Sequence, residues 1–389
     1  MKRIISIVAA MSVCIALSAQ EHIFDPRNLV SPEVHSDASV TFRLYAPDAS
    51  EVFLTGDLTA GRDLPMKRGE DAVWTVTVGP LESELYFYWF KVDGRKILDP
   101  SNSYVLRDVK TNMSWFIVPG DGNGKGDLYS AQNVGHGTVS KVWYNSESMG
   151  CDRRLTVYTP AGYETSRRKY PVLYLLHGMG GDEEAWPTLG RATYIFDNLI
   201  AKGLAEPMIV VMSNGNLLHR SAPGESGEGL WQPYGCGSFD GSFEESFPEI
   251  VKFVDRRYRT VAKPSSRAVA GLSMGGLHTY MISLSYPEMF GNYGIFSGAV
   301  GSWWSRTGGV NSNGFYQDQP AKIARLAAAS PDVYYIAIGK DDFLYGENVE
   351  LRRMLNAAGM EYTYVESAGG HIWANWRAYL SEFIQMIFK

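Results

Sequence analysis

One serine stands framed by glycines in Gly271-Leu272-Ser273-Met274-Gly275, between the apolar run "SRAVAGLS" and the helical pattern "GGLHTYMISLSY". A serine hydroxyl is a weak nucleophile until a base takes its proton and an acid orients that base. A strand ending at the serine and a helix starting directly after it would lift the hydroxyl onto a sharp turn. Glycines on either side let strand and helix approach closely. The helix N-terminus behind the turn favours the negative charge that develops during acyl transfer. Ser273 is therefore read as a nucleophile and not as part of an ordinary glycine-rich loop.

Two histidines follow it. His278 lies on the helix itself and points away from the turn, so it is expected to be packed or superficial. His371, in the glycine-rich loop "SAGGHIWANW" after the strand "EYTYVE", is free to reach the serine and is the expected base. The acid should come from "AIGKDDFLYGEN", where Asp341 and Asp342 lie just beyond a buried strand. Asp332 precedes that strand and sits at the wrong end. Backbone N–H groups to hold an oxyanion are expected from Met274, directly after the nucleophile, and from Met179 in "LLHGMGGDEEAW". His177, ahead of the serine, is expected to serve as a structural hydrogen-bonding group. No His, Cys and acid cluster has metal-ligand spacing, so neither a catalytic metal nor a cofactor is expected.

These residues need a scaffold. From residue 136 onward, "YPVLYLLHG", "EPMIVVMSNG", "SRAVAGLS", "YGIFSG" and "DVYYIAIG" are nearly continuous apolar runs ending in glycine or a polar turn, with amphipathic helical patterns between them. Such runs belong to strands buried on both faces of a parallel sheet, and the alternation predicts an α/β arrangement with its site at the carboxyl ends of the strands. Residues 20–118 read differently: "SVTFRLYAP", "VWTVTVGP" and "LYFYWFKVDG" are short strands divided by turns, predicting a small all-β sandwich. The polar, glycine-dense residues 119–135 between them are expected to be a linker.

The first nineteen residues have Lys2 and Arg3 before an apolar stretch and a Leu-Ser-Ala ending, the pattern of a cleaved secretory signal. A secreted or periplasmic protein without a membrane span is expected. A net charge of −6 argues against a nucleic-acid partner. Cys151 and Cys236 remain after the signal, and export would permit their pairing. Oligomeric state has no signature in the chain. Trp186, Trp231, Trp303 and Trp304 are candidates for an aromatic acyl pocket, although packing is the more frequent explanation for any one of them.

"LLHGMGGDEEAW", "VAGLSMGG", "IGKDDF" and "GGHIWANW" together resemble the feruloyl and acetylxylan esterases of carbohydrate esterase family one, over residues 136–389. The front block, with "TFRLYAPDASEVFLTGD", is similar to the Ig-like family-forty-eight carbohydrate-binding modules. The resemblance implies an α/β-hydrolase fold behind a β-sandwich, and a Ser273, His371, Asp342 triad in which Asp342 rather than Asp341 is the acid. It implies oxyanion donors at Met179 and Met274, and ester-linked side groups of plant cell-wall polysaccharides or oligosaccharides as substrate. The insertion "GLWQPYGCGSFDGSFEESFPEI" departs from the common family pattern, and the acyl group preferred is correspondingly open: hydroxycinnamoyl first, acetyl second, siderophore or other small esters third, with acyl transfer as a further chemistry.

Overall fold

The structure, a computed structural model, describes residues 29–225, 241–301 and 317–389. The chain divides into two compact units. One takes the described residues up to Glu82 with Tyr86–Val105 and Met113–Val118; the other takes Ser83–Leu85, Leu106–Asn112 and Pro119–Lys389.

The first unit is the expected sandwich. A four-stranded sheet runs Glu33–Val34, Val40–Tyr45, Val73–Val78, Lys67–Arg68, and a six-stranded sheet is built on Val52–Gly56, Glu84–Val92 and Thr111–Val118. Alternation along Val40–Tyr45 points Val40, Phe42 and Leu44 inward, where all three are buried. Phe42 meets Tyr88 edge-on at 4.9 Å and Phe116 at 5.5 Å. Period-two patterning thus seals one face of each sheet.

The second unit is an α/β-hydrolase. Its eight strands are β1 (Thr138–Ser146), β2 (Cys151–Thr159), β3 (Val172–Leu176), β4 (Ile209–Ser213), β5 (Arg267–Leu272), β6 (Asn292–Phe296), β7 (Val333–Gly339) and β8 (Thr363–Ser367), in spatial order 1-2-4-3-5-6-7-8. β2 pairs antiparallel with β1 and β4, and the pairs from β4 to β8 are parallel. Every residue of β3, β4 and β6 is buried, which is why these segments are almost wholly apolar and do not alternate, Ser213 and Asn292 being the polar exceptions. The described helices are α1 (Ala192–Ala201), α2 (Ser242–Arg257), α3 (Met274–Ser285), α4 (Gln319–Ala329), α5 (Tyr345–Ala357) and α6 (Trp373–Phe383), with short turns at Lys125–Tyr129 and Ala185–Thr188.

The stretch expected as a linker is folded. Asp127 accepts hydrogen bonds from the backbone N–H groups of Gly120, Gly122 and Gly124, and Tyr129 is 1 % exposed. Asn198 on α1 donates to the carbonyls of Leu128 and Ser130, and Arg191 to that of Tyr129. One aspartate converts three glycine amides into a closed turn, and composition alone does not reveal that. The signal-like first nineteen residues lie outside the described residues.

Candidate active site

Ser273 occupies the junction of β5 and α3 with φ 53° and ψ −111°, a conformation that an L-residue holds only when its surroundings enforce it. The surroundings are backbone. A Cβ on Gly271 would lie 2.5 Å from the Gly275 carbonyl carbon, and one on Gly275 would lie 2.5 Å from the Leu176 oxygen. Both flanking glycines are thus required by close approach of β3, β5 and α3. The Ser273 N–H donates to Phe296 O at 2.9 Å, and its carbonyl accepts from Leu277 and Ala299. The backbone of the turn is thus bonded through both its N–H and its carbonyl.

His371 lies beyond β8. Its Nδ1 bonds both oxygens of Asp342, at 2.9 and 3.0 Å. Asp342 is 4 % exposed and takes a further hydrogen bond from the Leu344 N–H. Burial pushes its carboxyl upward, but the bond and charge of His371, the Leu344 N–H and the Ser297 hydroxyl outweigh it and hold the group below its ordinary value. Asp341 next to it is exposed, with its own N–H bound to Gly369 O. The imidazole is gripped from the sides too: Phe343 lies 4.5 Å from its ring and Trp376 4.8 Å, edge-on. No hydrogen bond joins Ser273 to His371 among the described residues. Contacts of this kind in unliganded sites commonly tighten only with substrate.

His177 is buried, and its Nε2 accepts the Gly215 N–H at 2.8 Å. An accepting Nε2 leaves the proton on Nδ1, which donates to Gly178 O at 2.7 Å. Burial lowers its pKa to about 4, so the ring is a neutral brace for the loop that carries Met179. The Met179 and Met274 N–H groups have no backbone acceptor among the described residues, and a Cβ on Gly178 would lie 3.4 Å from that of Ser273. His278 is packed as expected, with Nδ1 on Glu244 at 2.8 Å.

Trp186 is 1 % exposed; its indole N–H donates to Leu176 O at 2.8 Å and its ring packs on Phe296 and Trp373. Its ring therefore offers no face to a ligand. Trp231, Trp303, Trp304 and Cys236 lie outside the described residues. Sequence reasoning missed Ser297, at φ 47°, whose hydroxyl receives the Trp376 indole N–H and supports Asp342. The available signal was the small residues of "FSGA" closing a fully buried strand.

Residues 146–386 match the putative esterase family model. The chain belongs to that family. Residues 30–109 match carbohydrate-binding module 48, the isoamylase N-terminal domain. An endo-1,4-beta-xylanase/feruloyl esterase of Xylanibacter ruminicola is 31 % identical over 371 residues, covering 92 % of this chain and 46 % of its own. An acetyl esterase of Caldicellulosiruptor saccharolyticus is 25 % identical, covering 56 % of this chain and 83 % of its own. The enterobactin esterase of Shigella flexneri superposes with a TM-score of 0.61 at 18 % identity, over 89 % of this chain and 92 % of its own, a likeness of fold. The chain spans about half the length of the Xylanibacter ruminicola relative.

Proposed function

We propose that the protein is a secreted serine esterase that removes ester-linked side groups from plant polysaccharides, hydroxycinnamoyl groups foremost. The observation that carries the chemistry is the His371–Asp342 pair: a buried carboxylate bonded through both oxygens to Nδ1 leaves Nε2 as the acceptor a nucleophile requires. Ser273 Oγ attacks the acyl carbonyl while Nε2 takes its proton. The Met179 and Met274 N–H groups stabilise the resulting oxyanion, for which the start of α3 supplies a favourable dipole. The adduct collapses, His371 protonates the departing sugar alcohol, and an acyl-serine remains. Water, deprotonated by the same histidine, releases the acid and restores the serine. Asp342 keeps the imidazole in the productive tautomer throughout.

The hydroxycinnamoyl preference is supported by the 31 % identity to a protein named for feruloyl ester cleavage. An acetyl preference has its support in the more distant acetyl esterase. Incubation with methyl ferulate, acetylated xylan and an acceptor sugar, followed by product identification, separates these. A kcat/KM higher for methyl ferulate than for an acetyl ester is expected, because binding of the aryl ring helps to position the carbonyl. Equal or reversed preference favours the deacetylase, and acyl-sugar formation favours a transferase.

A further inference from the structure

The segment Leu106–Asn112 counts with the catalytic unit although it interrupts residues of the first one. It is the tip of a hairpin between the strands Val105–Asp108 and Thr111–Val118. The first of its two loop residues, Val109, has φ 51°. A β-branched residue in the left-handed region is a genuine outlier, and such strain of about 1–3 kcal/mol persists only where surrounding bonds over-determine it. Those bonds converge on Arg107. One guanidinium nitrogen donates to Val109 O at 2.6 Å and to Gly180 O at 3.1 Å. The other pairs with the buried Asp182 carboxylate, whose second oxygen accepts the Glu184 N–H. Gly180 lies within the turn Gly178–Gly181, closed by the Gly181 N–H on Gly178 O, and Asp182 directly follows it; Met179 is the other central residue of that turn. Asp108, the neighbouring residue, accepts the indole N–H of Trp373, which packs at 5.2 Å on the Trp376 that borders His371.

We propose that Arg107 is a positioning residue for the oxyanion loop: its planar fork, bonded to Gly180 O and Asp182, holds the loop so that the Met179 N–H faces the acyl oxygen. The chemistry suits arginine. A fixed fork of donors sets direction as well as distance, where a lysine ammonium supplies only a point charge. His177 braces the loop through Gly178 O and the Gly215 N–H, and Arg107 through Gly180 O and Asp182. This inference rests on the serine-esterase reading above.

The test compares the full-length wild-type protein with Arg107→Ala, Arg107→Lys, Asp182→Asn and Ser273→Ala. An oxyanion serves every acyl group, so Arg107→Ala should lower kcat for p-nitrophenyl acetate and methyl ferulate by a common factor of about 10- to 100-fold, the scale of a small misplacement. KM should change less than threefold. The inhibition constant of benzeneboronic acid, which forms a tetrahedral serine adduct, should rise by the same factor as kcat falls. Arg107→Lys should recover part of the loss. Asp182→Asn should reproduce it and add little in the double variant. A folded Arg107→Ala protein with kcat and boronate inhibition within twofold of wild type overturns the proposal, as does a loss confined to KM. If Arg107→Ala does not fold, wild-type values in both Arg107→Lys and Asp182→Asn overturn it equally. An active Ser273→Ala protein overturns the serine-esterase reading itself, an outcome distinct from these.

Discussion

Two glycine-rich stretches of this chain look alike in composition and differ in what their glycines do. Around Ser273, the missing side chains of Gly271 and Gly275 are space that backbone fills, with neighbours at 2.5 Å. At residues 119–127, Gly122 has φ 96° and open space where a Cβ would stand, and its use is to turn its N–H toward Asp127. Gly271 and Gly275 are needed for contact, as are Gly120 and Gly124, whereas Gly122 is needed for conformation. The first pair holds Ser273 in its strained conformation; Gly122 lets the connection fold around the Asp127 carboxylate.

The sharpest break concerns the residue the first stretch exists to present. Ser273→Ala should retain the wild-type melting temperature and lose about four to six orders of magnitude in kcat on methyl ferulate. Activity retained in the folded variant would reduce the elbow to packing. Next, Asp342→Asn should lower kcat by up to about 10⁴-fold by misorienting His371, while exposed Asp341→Asn stays within about threefold, measured on the same ester. The reverse ranking would move the acid by one residue.

Asp342 also carries a pH signature. Its carboxyl is lowered in the folded protein by the balance of His371, Leu344 and Ser297 against burial. A folded value below the unfolded one contributes stability above the ordinary carboxylate range, and this is lost as pH falls through the folded value. Acid unfolding of Asp342→Asn should therefore show a shallower loss over that acidic window than wild type; an identical slope would contradict the assignment.

Within the comparison itself, Gly275→Ala should destabilise the fold by about 1–3 kcal/mol or more in urea titration, because the new methyl meets the Leu176 and His177 carbonyls. The smallest effect is expected at Gly122→Ala: about 1–2 kcal/mol from the left-handed backbone, with esterase activity unchanged. If Gly122→Ala proves the costlier, the distinction between contact and conformation fails.

The α/β arrangement was legible because strands buried on both faces are apolar along nearly their whole length, as β3, β4 and β6 are apart from Ser213 and Asn292. The elbow was legible because its glycines are adjacent in sequence to the residue they serve. Trp186 was not, since an indole lining a pocket and one bonded to Leu176 O have the same local sequence. Nor was the folding of residues 119–135, which depends on Asn198 and Arg191 far along the chain.

Residue type and spacing alone determined the strand–serine–helix turn, the order in which serine, aspartate and histidine follow one another, and the change from an alternating to a continuous apolar pattern near residue 136. Each is a local property, written within a few residues of backbone. Residue type and spacing left Asp341 and Asp342 both open, and the family resemblance named Asp342, which the structure pairs with His371. Tertiary structure alone decided that Ser297 and Trp376 support that pair, and that Arg107 reaches Gly180 and Asp182 across more than seventy residues. These depend on side-chain direction at the ends of separate elements. A one-residue shift there reverses which group is buried, as exposed Asp341 and buried Asp342 demonstrate, and only the packed fold sets it.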